Sequence, residues 1–333
     1  MDPVSQGILG ASLSGSLSNP KKIKLASLCG FFGGLAPDLD ILIKSDSDPL
    51  LSLEFHRHFT HSIFFVPIGG LITGLFLYFF LKKKLSFKET FFFTTAGFIT
   101  HGFLDSCTSY GTHLLWPIID KRVSWNIISI IDPIYTLILL IFIIISIFIR
   151  STLLIRLGTF LSCVYLMLGV YQYQSVEEYI KKVAYKRGHK VERMLLNPTI
   201  GNNILWRTVY QTSTTYYIDA VYSPIKGKKR LKKGTEINVI SKETVFPELS
   251  KNSTLRNDIK RFAYFSQDYI FLHPNHTNVI GDLRYGTLPY DFRALWGIQF
   301  DLKKPESHAN FISLRNFEKN DYSEFWKMLN GNF

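Results

Sequence analysis

Residues 56–81 read HRHFTHSIFFVPIGGLITGLFLYFFL: three histidines and an arginine within seven residues, then an apolar run without a charge from Ile63 to Leu81. A run of that length approaches the roughly 20 residues a helix needs to cross the hydrocarbon core of a bilayer. Ionisable groups at the mouth of such a helix are costly beside lipid and are usually functional. The same stretch therefore sets the fold, a membrane bundle, and the question of chemistry at one of its ends.

The chain has 333 residues, 47% of them hydrophobic and 15% aromatic, and its long apolar runs all precede residue 175 or so. The residues beyond that point alternate polar and β-branched types between charge clusters, as soluble domains do. We expect a multi-pass α-helical membrane bundle over residues 1–175. A small α+β soluble domain, mainly antiparallel β, is expected over residues 176–333. Segments 63–81, 88–106, 127–149 and 153–173 read as spans. The stretches 5–18 and 23–43 are shorter or interrupted by Gly and Ser, residues that favour close helix packing. The expected total is six membrane helices. Met1-Asp2-Pro3 lacks the basic region of a secretory signal, so the first apolar segment is expected to stay in the mature chain.

Basic residues give the sidedness. Lys21, Lys22 and Lys24, then Lys82, Lys83, Lys84 and Lys88, then Arg150 and Arg156 fall in alternate loops of a six-helix series, which marks that face as cytoplasmic. The intervening loops, 44–62 and 107–126, offset their few basic residues with Asp46, Asp48, Glu54 and Asp120 and are expected outside, with the C-terminal domain. Lys181, Lys182, Lys186, Arg187 and Lys190 pull the other way, but long domains translocate largely regardless of charge. The net charge of +12 is thus read as topology information, and no nucleic-acid partner is expected. Cys29, Cys107 and Cys163 show no C-x-x-C spacing, so they imply no cysteine metal site or disulfide framework, and each reads as a small buried core residue.

The ionisable residues of the membrane half converge on one end of this scheme. Asp38 and Asp40 end the second predicted helix, His56, His58 and His61 precede the third, His101 and Asp105 end the fourth, and His113 lies in the loop after it. Asp132, Asp2 and Gln6 join the same end. His101 and Asp105, four apart, share a helix face. Imidazole with carboxylate and no thiolate suits zinc or a similar divalent metal that keeps a position open for water.

DPVSQGILG, GGLAPDLD, HRHFTHS, THGFLDSCTSYGTHLLWP and IIDPIY together resemble the YdjM-type membrane-bound metal-dependent hydrolases of bacteria. The resemblance covers about the first 135 residues well, with NPTIGNNILWR and GDLRYG matching a soluble tail more loosely. It implies inner-membrane localisation, a helical metal site and distant kinship to zinc-dependent phospholipases C and single-strand nucleases. Carried over by motif, Asp38, Asp40, His56, His61, His101, Asp105 and His113 are metal ligands or their supports, and His58 falls at a variable position. One departure is plain: Gln6 stands where the family usually has histidine near the start of the first helix.

The mechanism implied is metal-assisted hydrolysis of a phosphoester or lipid-type substrate, with Asp40 or Asp105 accepting the proton of water and Arg57 clamping the phosphate. Membrane lipids are the expected partners. The alternative is a non-enzymatic metal-binding or transport protein, but transport needs polar groups along a path through the bilayer. The fifth and sixth predicted helices offer almost none below Asp132. No H-E-x-x-H motif supports an intramembrane protease. In the soluble half, 175–194 reads as an amphipathic helix, TVYQTSTTYYIDAVYS, TEINVI, DYIFLH and WGIQFDL as strands, and KGKKRLKKG (226–234) as a hairpin tip.

Overall fold

The structure, a computed structural model, describes residues 1–333. It divides into two compact units. One comprises Met1–Leu42, Phe55–Tyr171 and Ile200–Asn202; the other comprises Ile43–Glu54, Gln172–Thr199 and Asn203–Phe333.

The first unit is helical. Asp2 caps α1 (Pro3–Ser16) by accepting the Ser5 N–H at 3.0 Å, with Pro3 at the first turn, where its missing N–H costs nothing. α2 (Ile23–Leu35) runs into a 3-10 segment, Ala36–Leu42. A short α3 (Leu51–Phe55), which belongs to the second unit up to Glu54, and a 3-10 turn (Phe59–His61) precede α4 (Val66–Leu81). α5 (Phe87–Ser106) opens with a capping box between Ser86 and Glu89. α6 (Pro133–Ile149) is capped by Asp132, which accepts from the Tyr135 N–H at 3.1 Å and the Tyr165 hydroxyl at 2.8 Å. α7 (Thr152–Lys186) is a single helix of 35 residues, so the amphipathic segment expected from residue 175 begins inside it.

Small residues let α1, α2 and α5 touch. A Cβ on Gly97 would lie 2.1 Å from the Gly30 carbonyl oxygen, so only glycine permits that backbone approach. Large apolar side chains face outward instead: Phe79, Phe80, Phe148 and Phe160 are each more than half exposed, as lipid-facing residues are.

Six membrane helices are not supported. Two helices are long and apolar enough to cross a bilayer, Ile23–Leu42 and Thr152–Lys186, and a third if the bent pair Leu51–His61 and Val66–Leu81 counts as one span. The reasons are local. That pair is bent by 89° where the histidine stretch meets α4, which leaves α4 with 16 residues. Residues 127–132 stay non-helical up to the Asp132-Pro133 cap, which trims α6 to 17 residues. α5 is long enough, but four threonines with Lys88, Glu89, His101 and Asp105 dilute its apolar character. A second correction concerns Cys163, which is exposed, whereas Cys29 and Cys107 are buried.

The second unit holds two antiparallel four-stranded sheets. The first, in sequential order, is β1 (Arg193–Pro198), β2 (Leu205–Gln211), β3 (Thr215–Tyr222) and β4 (Arg230–Asn238). The second is β5 (Ile270–Leu272), β6 (Val279–Asp282), β7 (Trp296–Gln299) and β8 (Asn310–Ser313). The basic run is hairpin tip only to Lys229, because Arg230 onward pairs with β3. Val209, Tyr216 and Ile218 pack with Phe271, Leu283 and Ala294, which joins the two sheets in one core. Val176, Ile180 and Ala184 of α7 cover Leu196, Trp206 and Val221. α8 (Thr254–Phe265) and α9 (Lys319–Leu329) complete the unit.

Candidate metal centre

Three elements bring two carboxylates and two imidazoles to a single point. Asp38 comes from the 3-10 segment after α2, His61 from the turn before α4, and His101 and Asp105 from one face of α5. One ligating atom of each lies within 4.8 Å of the other three. The close approach of the His61 backbone to α5 depends on Gly102, where a Cβ would stand 2.2 Å from the His61 carbonyl oxygen. His61, His101 and Asp105 are buried, whereas the Asp38 side chain is 22% exposed and forms the mouth of the cluster.

The hydrogen bonds fix the tautomers. His101 Nδ1 lies 2.6 Å from the Gly34 carbonyl, an acceptor only, so that nitrogen carries the proton. His61 Nδ1 faces Asp40 Oδ2 at 3.2 Å and Thr60 Oγ1 at 3.0 Å, and the Thr60 hydroxyl itself donates to Asp40 at 2.9 Å. The two Nε2 atoms face each other at 2.9 Å, and on neutral rings both would be lone pairs directed at one point. Asp38 Oδ1 lies 3.5 and 3.3 Å from the two, and Asp105 Oδ2 3.1 and 3.5 Å. Four ligand-type atoms converge, and positive charge among them, as a bound metal would supply, offsets the repulsion of the carboxylates.

Asp105 Oδ2 is buried and accepts no hydrogen bond, although Arg57 Nε approaches it at 3.2 Å. Asp105 Oδ1 is taken up by Gln6 Nε2 at 2.8 Å and by the α-amino group of Met1. Neither cation donates to the two Nε2 atoms. Imidazoles whose second nitrogen is fixed by a carbonyl or a carboxylate, with a carboxylate oxygen left over, form a donor set that fits a divalent metal.

Asp40 and His56 stand beside this point and, with Asp38, form a further group whose ligating atoms lie within 4.8 Å of one another. Asp40 Oδ1 pairs with His56 Nδ1 at 2.8 Å, and Oδ2 accepts the Arg57 N–H and the Thr60 hydroxyl, both at 2.9 Å. With both oxygens engaged, Asp40 orients the histidine turn. Arg57 is buried: its guanidinium lies 4.5 Å over the Tyr110 ring and donates to Thr108 Oγ1 at 3.2 Å. His113 is drawn away from the cluster to Asp120, 3.0 Å from its Nδ1, with His58 beside it. Burial, with Arg122 and His58 adding to it, holds the His113 imidazole below its usual pKa. Asp2 and Asp132 serve as caps of α1 and α6.

Sequence reasoning missed Thr60, Gly102, Thr108, Tyr110 and Asp120. Thr60 and Gly102 lie inside the quoted motifs, and the signal was present in an H-R-x-x-T-H and an H-G pair; Asp120 read only as a loop charge. The later motifs hold structure together. Arg207 of the NPTIGNNILWR stretch donates to the carbonyls of Leu283 and Asp291 at 3.0 and 2.7 Å, and Arg284 of GDLRYG pairs with Asp282 at 2.8 Å.

The family model described as YdjM inner membrane protein matches residues 1–176. An uncharacterized protein of Bacillus subtilis, YfhP, is 26% identical over 231 residues, 66% of this chain and 67% of the relative. No solved structure matches.

Proposed function

The chain belongs to the YdjM inner membrane protein family, and from that premise we propose that it is a membrane-bound, metal-dependent hydrolase of a phosphoester or lipid-type substrate. The observation that carries this reading is the approach of two imidazole Nε2 atoms to 2.9 Å between two carboxylates. Asp38, His61, His101 and Asp105 would hold the metal, zinc by the chemistry of the donors. Bound there, it supplies a lowered pKa for water and neutralises charge developing on a substrate oxygen.

The chain's own residues divide the remaining work. Asp38, the partly exposed member, is the carboxylate that water and substrate reach, and its second oxygen would accept the proton of the attacking water. Asp40 acts as a positioning residue through His56, Thr60 and His61. Arg57 adds positive charge at the floor, where an anionic substrate gains most from it. Gln6 holds Asp105 in place, so the residue found where the family has histidine has a supporting role.

The membrane lipids around the helices are the nearest source of such a substrate. The basic loops gather at the far end of the bundle: Lys22, at the start of α2, pairs with Glu89 at the start of α5, and Arg156 Nε donates to Ser16 at 2.9 Å. Under the positive-inside rule that end is cytoplasmic and the cluster faces the extracytoplasmic side. The test is metal analysis of protein purified without chelator, followed by a hydrolysis screen on phosphate esters and phospholipids. Protein that binds no metal, even on reconstitution, overturns the reading. Metal bound without turnover would leave the metal-binding or transport alternative instead.

A further inference from the structure

The two outer histidines of HRH go to different places. Arg57 stands at φ +62°, the left-handed region that L side chains rarely adopt. His58 comes next at φ −96°, ψ −124°. The turn sends His56 to Asp40 and His58 to the opposite side, where its ring centroid lies 4.5 Å from His113 and 5.4 Å from Trp116. Strain of this kind persists only where the surroundings impose it, and it concentrates at functional sites. Here the surroundings are the loop after α5: the His113 N–H donates to the Arg57 carbonyl at 3.0 Å and the Thr112 hydroxyl to the same oxygen at 3.2 Å. That pairing places the His113 ring beside His58, and Asp120 closes the group from seven residues further on.

We propose that His58, His113 and Asp120 form a second metal site, for a first-row divalent ion such as zinc. One ligating atom of each lies within 4.8 Å of the other two, and the group shares no residue with the buried cluster. Two imidazoles and one carboxylate without thiolate suit a borderline ion and leave coordination positions for water. Asp120 is 71% exposed, so the ion exchanges with solvent directly, whereas the buried cluster opens only at Asp38. An ion here clamps the strained turn to the 112–120 loop and braces Arg57, whose side chain reaches Asp105. The inference stands apart from the hydrolase reading, since neither its ligands nor its test involves turnover.

The test uses the full-length protein in lipid nanodiscs, stripped of metal and titrated with Co(II), with bound equivalents counted by elemental analysis. His58→Ala and Asp120→Asn are each expected to bind one equivalent less than the parent and to keep the remainder. Both replace side chains with some exposure, and their unfolding midpoints confirm that they fold. His101→Ala is expected to lose buried-cluster metal and keep the exchangeable equivalent. Folded His58→Ala and Asp120→Asn variants that bind as many equivalents as the parent, with the same affinity, would overturn the proposal. So would a His101→Ala variant that binds nothing.

Discussion

Each unit contains a cluster of aspartate and histidine, and the two are built on opposite principles. In the second unit Arg261 donates to Asp48 at 2.9 and 3.0 Å, to Glu54 at 3.0 Å and to Asp258 at 3.1 Å. His308 Nδ1 and the Ala309 N–H take the other Asp258 oxygen, both at 2.9 Å. An arginine already fills the centre there, and Asp258 is satisfied on both oxygens. In the first unit the Nε2 atoms of His61 and His101 meet at 2.9 Å with no arginine or lysine between them. Both groups bring acids and an imidazole within metal-binding reach. The difference teaches that proximity alone does not separate the two groups: in one an arginine fills the centre, in the other a demand for positive charge is left that a metal would meet.

The sharpest way to break this comparison is to remove the demand. Under the hydrolase reading, His101→Ala and Asp105→Ala should each lower turnover by at least ~100-fold, and the double variant should be little worse than either single, because the residues act as one unit. Metal content should fall in parallel. A helix-end hydrogen bond alone is worth only ~0.5–1.5 kcal/mol, so a well-folded His101→Ala protein that keeps its metal and turnover would make the cluster structural.

Gly102→Ala comes next. The added Cβ meets the His61 carbonyl oxygen, and backbone does not yield as a flexible side chain does. We expect about 1–3 kcal/mol of destabilisation, the usual range for overpacking, together with weakened metal binding because His61 moves. Thermal unfolding and metal titration read the two effects separately. Unchanged metal affinity would show that His61 placement does not depend on this contact.

These variants also mark how far the site could be read from the residues alone. The convergence of Asp38, His61, His101 and Asp105 was legible because helix periodicity and loop alternation put their segments at one end. The displacement of His113 was not, since it arises from the φ of Arg57 and a backbone bond from residue 113, neither of which has a composition signal. Helix number failed for a similar reason. Apolar length was visible, but the bend before α4 and the late start of α6 depend on tertiary contacts and caps. The antiparallel character of the C-terminal half was legible in its alternating, β-rich runs, whereas the limit of the basic hairpin tip at Lys229 rests on strand register.

Arg261→Ala tests the satisfied cluster and should behave differently in kind. It leaves the buried Asp258 without its cation, but Arg261, Asp48 and Glu54 are partly exposed, so the loss should be about 1–2 kcal/mol, below the 3–5 kcal/mol of a fully buried pair. Metal equivalents should not change. Burial raises the Asp48 pKa, but hydrogen bonds from Arg261 and the Leu50 N–H outweigh it and hold the carboxyl below its ordinary value. A carboxyl depressed in the folded state stabilises above its unfolded pKa, and that contribution is lost as pH falls through the folded value. The parent should therefore lose stability as pH falls below about 5 in a step that the variant largely lacks. A variant with the parent's acid sensitivity would remove Arg261 from this role.

The smallest effect is expected at the other end of the bundle. Lys22 and Glu89 pair, but their side chains are 33% and 34% exposed, and exposed ion pairs gain little because water and salt screen them. Glu89 keeps its capping-box bonds with Ser86 when the lysine is removed, so α5 retains its start. Lys22→Ala should leave the unfolding midpoint unresolved from the parent and metal content unchanged. Sidedness should hold as well, because the positive-inside bias is summed over a loop in which Lys21 and Lys24 remain. Cysteine labelling in intact cells checks this at two positions, with residue 83 protected and residue 230 modified in parent and variant alike. Modification of position 83 but not 230 in the parent would reverse the orientation and put the metal cluster on the cytoplasmic face.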